Sequence, residues 1–568
     1  MVNYRNFLLM TAWMIYPLAA TGKISASVDW LFHSARVEQI YDNLRQGCKF
    51  TFIATTTFQH TGVGSFLFYP DGSLYIWALL RFIFSPIKAY YAWVGIFLFL
   101  TFIISYWCML KFSNDKLRSF IFALLYGLAP YHLYLSPVNW VIGEFTAYTF
   151  IPIVFLGIYE ILRRNEKEWP LLAIGVALLM LSHLLSVALC AEIFVVLLLI
   201  TLFKEKKLGL SRWMGLVKAG ILALGLSLPI FVLLFSEYFH KGVEGPYSGV
   251  YIVQNLSTLF TDSMNNLATW SSIGLILLVI ALTGWKWVSH DNCEFTLYVM
   301  MIGILLLSTA IFPWKSFNHT PFAIIQLPCR YLTYAILFGA VLGSREIATL
   351  LRKLPQSSEK LAVIAVVPLM LLSYFGAIAP LTNSLENSVS NILCKLNPGQ
   401  HQILNNKILN NQNYKDQFAY WAFTGEVDYY STKSKTLGMR PGIPTWDAIT
   451  KNPRVDSIVE NTLFVNGKNH HYHVDYKPNR FDFDVTLSKP ATVDFPVVKY
   501  AGTNAIDNGK KVKVDLSQRG TAQLKLSAGE NHVEIGFKPP FFYYISIVIM
   551  LISWIGTLFL GCRRKIKR

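Results

Sequence analysis

The sequence predicts a polytopic α-helical membrane protein that carries an extracytoplasmic β-sandwich-like domain near its C-terminus. Three observations support this. The chain of 568 residues is 54% hydrophobic and only 15% charged, where a soluble protein would carry about a quarter charged residues. Runs such as WVGIFLFLTFIISYWCML and AEIFVVLLLITLF are too long and too apolar to be buried anywhere but in lipid. Beyond Pro380 the pattern changes to period-2 alternation in RFDFDVTL, KKVKVDL, TAQLKL and NHVEIGF, as half-buried strands require.

The elements follow from the lysines and arginines, which mark the cytoplasmic side of short loops. Phe7 to Ala20 runs into PLAATG, whose small residues would suit signal cleavage, but many spans come after it. It is therefore read as the first transmembrane helix, with Arg5 inside. The first outer loop then covers 22–88. Spans follow at 89–110, 119–136, 145–162, 170–184, 187–203, 215–236, 271–288, 295–313, 328–345 and 361–380, with cation clusters such as Lys111, Lys116 and Arg118 at their inner ends. The segment 74–85 has Arg81 in its middle and breaks the parity if it spans, so it reads as an interfacial or re-entrant helix. Residues 1–380 thus form the membrane domain. Residues 381–540 form the outer β-rich domain, with turns such as DNGK and SAGEN between strands. Residues 541–568 form a last span and a basic tail, RRKIKR, anchored in the cytoplasm. The total is about twelve spans with both termini inside.

The formal net charge of +17 does not indicate nucleic acid as a partner, because the cations sit in short loops and at the C-terminus. Seven cysteines, several inside apolar runs, form no disulfide framework.

Charges within a bilayer are costly and usually functional, and the topology places several at the outer face. Asp29, His33 and Arg36 have i, i+4, i+7 spacing, one face of a helix. His60 and Asp71 share their loop, Glu144 starts a span, His183 sits at a hairpin tip and Arg330 lies where the chain re-enters the membrane. Each has a plainer reading. Asp29 and Glu144 suit helix starts through the helix dipole, His33 and Arg36 suit an interface, and Arg330 could snorkel to head-groups. His183 is harder to dismiss, because its flanking spans are short. Glu192, inside a span, suits a hydrogen bond to a neighbouring helix. His470, His471 and His473 read as an exposed strand rather than a metal site, lacking a third ligand. No phosphate-binding loop, dinucleotide fingerprint or nucleophile elbow is present. Any chemistry is thus extracytoplasmic, and a substrate available there in activated form would be lipid-linked.

The order of these features is similar to that of the GT-C superfamily of polyprenyl-phosphate-sugar-dependent glycosyltransferases. More closely, DWLFHSARVEQIYDNLRQG, FYPDGSLYIWALL, LSHLLS and IQLPCRYL resemble the bacterial membrane family labelled 6-pyruvoyl-tetrahydropterin-synthase-related, and the C-terminal run from VVKYAGTNAIDNGKKVKV resembles the outer domain of YfhO-type proteins. The pterin label is a name only, since nothing here looks like a soluble pterin enzyme. The resemblance implies a GT-C-like bundle in the bacterial plasma membrane. It would use a lipid-linked sugar donor among membrane lipids and an envelope glycan, lipid or protein as acceptor. It implies Asp29 as first-loop acid, general base or metal ligand, with His33 orienting it. Arg36 and Arg330 would hold the donor phosphate, with Glu144 and His183 also on the substrate. Many relatives carry a second first-loop acid, for which Glu38 or Asp71 is available. This leaves a divalent metal (Mg, Mn or Ca) on Asp29 and Asp71 open. The alternative function is a transporter or flippase of lipid-linked glycans, or a scaffold for envelope assembly.

Overall fold

The computed structural model describes residues 4–566 apart from 28, 239–241, 244–248, 251, 289–292, 394–402, 405, 423–427 and 435–452. The chain forms two compact units. One contains 1–23, 87–224 and 248–389; the other contains 24–86, 225–247 and 390–568.

The first unit is helical. Among the described residues of the chain, seven helices are long and apolar enough to cross a membrane, or eight if Lys116–Gly127 and Pro130–Val138, bent by 49°, count as one. About twelve spans were expected. The further segments form helices below that length, such as Tyr4–Ala20, Trp169–Met180, Leu275–Thr283 and Glu294–Leu307.

Local chemistry explains where these helices start and bend. The Asp115 carboxylate accepts hydrogen bonds from the backbone N–H of Leu117 and Arg118 at 3.0 and 3.1 Å, capping Lys116–Gly127. The bend after Gly127 falls just before Pro130, which cannot donate to the preceding turn.

Close packing and polar cross-links hold the helices together. A Cβ on Gly157 would meet the Leu172 backbone at 2.5 Å and one on Gly175 would meet that of Val154 at 2.8 Å, so Ile142–Tyr159 and Trp169–Met180 touch through their glycines. Tyr126 and Tyr148 each donate to the other's carbonyl at 2.8 Å. Thr101 bonds Thr149 at 2.8 Å. The Tyr374 hydroxyl donates to the Met14 carbonyl at 2.9 Å.

The second unit contains the first outer loop, the β-rich domain and the final helix. Among the described residues its strands form two five-stranded sheets and two small two-stranded ones. The first runs in the order Lys510–Val512, Thr503–Asp507, Gly529–Phe537, Arg480–Leu487, His473–Lys477. The second runs Asp515–Leu516, Thr521–Leu526, Ala491–Val498, Phe464–Val465, Lys468–Asn469. Phe481, Phe483, Val485 and Leu487 all point into the core, as their alternation predicts. Asp482 alternates with these apolar residues, yet it is buried too, beside Arg480 two residues back on the same face of the strand, which pairs with it at 2.8 Å. Asn508 and Gly509 adopt φ of 46° and 79° and make the tight turn that DNGK predicts. SAGEN does a different job. It links Thr521–Leu526 in one sheet to Gly529–Phe537 in the other.

The first outer loop is tied into this unit. Asn479 accepts from the N–H of Phe52 at 2.7 Å and donates to the Phe50 carbonyl at 2.8 Å. The Trp30 indole donates to Gln417 at 2.8 Å. The segment 74–85 is represented by a nine-residue helix, Gly72–Leu80. At about 1.5 Å per residue this is far too short to cross a bilayer, as its interfacial reading requires.

Candidate functional site

In the helical unit the ends of three helices bring Glu144, His183 and Arg330 together. Glu144 lies in the first turn of Ile142–Tyr159, so the helix-start reading holds, but the carboxylate is also buried and held. The Tyr131 hydroxyl donates to its Oε1 at 2.8 Å, and Arg330 Nε lies 3.5 Å from its Oε2. Arg330 Nη1 donates in addition to the Ile325 carbonyl at 2.9 Å and to the Gln326 side chain at 3.2 Å. The guanidinium is thus fixed from three directions rather than snorkelling. His183, buried at the start of Leu184–Glu205, pairs with Ser186 at 2.9 Å and interacts electrostatically with Arg330. Glu192 accepts from Tyr331 at 2.5 Å, a helix-to-helix bond of the kind expected for it.

Tyr131 and Gln326 did not stand out in the sequence. Neutral polar residues beside a membrane are common, and only the fold shows which ones face a charge.

In the second unit Asp29 immediately precedes the helix Trp30–Arg45. Its carbonyl accepts from the His33 N–H at 3.1 Å, and its side chain makes no capping hydrogen bond. The face that Asp29 begins is not solvated. His33 is 3% exposed, edge-on to Phe32 and Tyr69, and Arg36 is fully buried. Arg36 Nη2 donates to the carbonyls of Tyr69 and Pro70 at 2.7 and 3.2 Å, and its guanidinium lies over the rings of Phe32, Phe66 and Tyr69. Its Nε and Nη1 have no hydrogen-bond partner among the described residues. Burial pushes the Arg36 guanidinium below its usual value, against the pull of Asp71. The same burial raises the Asp71 carboxyl to about 6, with Arg36 opposing.

The two candidate second acids separate clearly. Glu38 forms a buried ion pair with Arg81, at 3.0 and 3.2 Å from Nη2 and 3.3 Å from Nε. Arg81, the cation that made 74–85 hard to place, is thereby accounted for. Asp71 begins Gly72–Leu80 without capping it through its side chain.

Among the described residues no group of three or more His, Cys, Asp and Glu is placed to hold a metal ion. His60 is stacked on Tyr476 at 4.1 Å, His470 is half-buried and lies 3.1 Å from the Thr486 carbonyl, and His471 and His473 are exposed, His473 lying 3.7 Å from Asp475.

Residues 66–383, more than half of the chain, match the family described as the 6-pyruvoyl-tetrahydropterin synthase related domain, a membrane protein. The chain belongs to this family. The matched range holds Asp71, Glu144, His183 and Arg330, whereas Asp29, His33 and Arg36 precede it. Over 92 residues, 16% of the chain, it is 30% identical to the uncharacterized protein YfhO of Bacillus subtilis (strain 168), and it covers 11% of that protein. Two solved structures are similar. One is the arabinofuranosyltransferase AftD from Mycobacteria, at 12% identity and TM-score 0.41 over 68% of this chain and 27% of that one. The other is ArnT from Cupriavidus metallidurans bound to undecaprenyl phosphate, at 13% identity and TM-score 0.40 over 63% of this chain and 62% of that one. The chain therefore spans less than two thirds of each of these relatives.

Proposed function

We propose that this family member is a glycosyltransferase of the bacterial plasma membrane, moving a sugar from a polyprenyl-phosphate-linked donor to a cell-envelope acceptor. The observation that carries the reading is Arg330, a guanidinium fixed by Glu144, Ile325 and Gln326 at the start of a membrane-length helix, with His183 beside it. A cation held in that way, in a low-dielectric setting, stabilises a departing phosphate without reorganising.

In the reaction, the bond between the sugar's anomeric carbon and the phosphate oxygen breaks as a bond to the acceptor hydroxyl oxygen forms. Arg330 takes up the charge developing on the phosphate. The hydroxyl proton goes to a carboxylate, for which the family resemblance offers Asp29 of the first outer loop, with His33 one turn along its helix. The order of FYPDGSLYIWALL, LSHLLS and IQLPCRYL along the chain supports the same reading.

The test is transfer in proteoliposomes supplied with a radiolabelled polyprenyl-phosphate sugar and a cell-envelope extract. Arg330→Lys, which keeps a cation opposite Glu144, and Asp29→Asn are expected to fold and insert normally, with transfer reduced at least about tenfold in the first and about a hundredfold in the second. Wild-type-like transfer by Asp29→Asn removes that residue from the mechanism. Movement of intact lipid-linked sugar across the bilayer without transfer overturns the enzyme reading in favour of transport.

A further inference from the structure

The helical unit holds a second feature that the proposed chemistry does not use. A cavity of about 140 Å3 opens between helices and is lined by apolar side chains, among them Phe112, Phe155, Leu162, Leu297, Phe338 and Val341. Its lining begins about two turns along the helices from the Arg330 cluster, at Pro152 and Leu337, and extends to their other ends. Glu144 and the cavity residue Arg163 stand at opposite ends of Ile142–Arg164, and His183 and the cavity residue Thr201 lie at opposite ends of Leu184–Glu205. At about 1.5 Å per residue each pair is separated by roughly 25–30 Å.

The lining decides what can enter. A cavity of about this size with apolar walls stays dry and takes an apolar guest. A sugar or nucleotide placed here would leave its hydroxyls unpaired, at a cost of about 1–3 kcal/mol each. A stretch of hydrocarbon chain meets no such cost, and within a membrane such chains are in vast excess.

The rim decides which chain. Arg118 lies over the ring of Phe112 at 5.5 Å and donates from Nη2 to the carbonyl of Val341 at 3.2 Å, so two lining residues place it at the cavity's edge. Its Nε is buried and has no hydrogen-bond partner among the described residues. Arg345, one turn beyond Val341, faces the same region and pairs with Glu294, while Arg163 pairs with Glu205 at 2.7 Å and Lys204 donates to the lining residue Thr296 at 3.0 Å. Asp115 also interacts with Arg118 and pairs with Arg352 at 2.7 Å, so five cations meet three carboxylates around the opening. An unpaired buried donor beside a surplus of positive charge calls for an anionic oxygen.

We propose that this cavity binds one hydrocarbon chain of an anionic phospholipid, whose phosphate sits between Arg118 and Arg345. The lipid is a resident of the fold, separate from the donor substrate at Arg330, and it fills the gap between helices while satisfying Arg118 Nε.

The full-length protein reconstituted in nanodiscs tests this with phosphatidylglycerol carrying a photoactivatable group on one acyl chain, and with phosphatidylcholine bearing the same chain. The expected result is cross-linking by the anionic probe to peptides containing 152–163, 197–201 or 337–341, about tenfold above the zwitterionic probe, whose phosphate is the same but whose choline cation is repelled by the positive rim. Arg118→Gln is expected to erase that preference, Arg118→Lys to retain most of it, and Thr201→Trp to abolish labelling by filling the cavity. Equal labelling by both probes overturns the anionic-lipid assignment, and labelling unchanged in Arg118→Gln overturns the placement of the phosphate at Arg118. Labelling at these peptides by a photoactivatable polyprenyl phosphate but not by phosphatidylglycerol overturns the phospholipid assignment. A variant that fails to insert is replaced by competition on the wild type, where unlabelled phosphatidylglycerol must displace the probe and phosphatidylcholine must not. Transfer activity is not read, so failure of the glycosyltransferase reading leaves this result intact.

Discussion

The ion pair between Glu38 and Arg81 offers the sharpest test of how the first outer loop is built. Both side chains are nearly excluded from solvent, at 5% and 7% exposure, and they meet through three contacts of 3.0–3.3 Å. Arg81 also lies over the rings of Tyr41 and Tyr414, at 4.7 and 5.3 Å. Arg81→Ala removes the cation and leaves the Glu38 carboxylate buried without its counter-charge. Breaking a buried pair in this way costs about 3–5 kcal/mol, whereas removing both charges costs far less. Glu38→Gln combined with Arg81→Ala is therefore expected to recover at least about half of the loss.

Burial already raises the Glu38 carboxyl above its ordinary range, with Arg81 opposing. A raised folded-state value means that protonation favours folding. The deficit of Arg81→Ala is then largest at neutral pH and narrows as pH falls into the ordinary carboxylate range. The assay is thermal and denaturant unfolding of detergent-purified protein, followed by tryptophan fluorescence at several pH values. A single variant within about 1 kcal/mol of wild type at pH 7, or a double variant no better than the single, refutes the reasoning.

Two further outcomes follow from the same physics. The Asp71 carboxyl titrates near 6 in the folded protein against an ordinary value of 3.8, so its contribution to stability is complete below that ordinary value and is lost as pH rises through 6. The full shift is worth up to about 3 kcal/mol, and Asp71→Asn, measured in chelator-treated buffer, should flatten the stability curve across that window. Gly157→Ala and Gly175→Ala each place a methyl within 2.5–2.8 Å of the neighbouring helix backbone. Each should cost about 1–3 kcal/mol in thermal unfolding, and combined they should cost less than their sum, because the first already parts the two helices.

Much of the architecture was legible because it depends on near neighbours. A run of some twenty apolar residues admits few environments besides lipid, and strict alternation admits few shapes besides a strand with one buried face. The Asn508–Gly509 turn is equally local, since it needs only two residues that tolerate positive φ. The candidate site was legible in part. Glu144, His183 and Arg330 stood out because charge beside a membrane is costly, and the fold brings these three together. Arg81 stood out for the same reason, but its partner did not, because Glu38 lies forty-three positions away and competes on paper with every other acid of the loop. Asp482 shows the limit of pattern alone, for its alternation predicts a polar face but not that Arg480, two residues back on that face, covers it.

The sequence by itself therefore determined that this is a membrane protein, which stretches form helices or strands, and which charges require an explanation. Tertiary structure alone decided which of those charges meet, that Tyr131 and Gln326 serve Glu144 and Arg330, and that Arg36 is buried rather than interfacial. Secondary structure follows from interactions a few residues apart, whereas the partner of a buried charge is chosen by packing between segments distant in the chain.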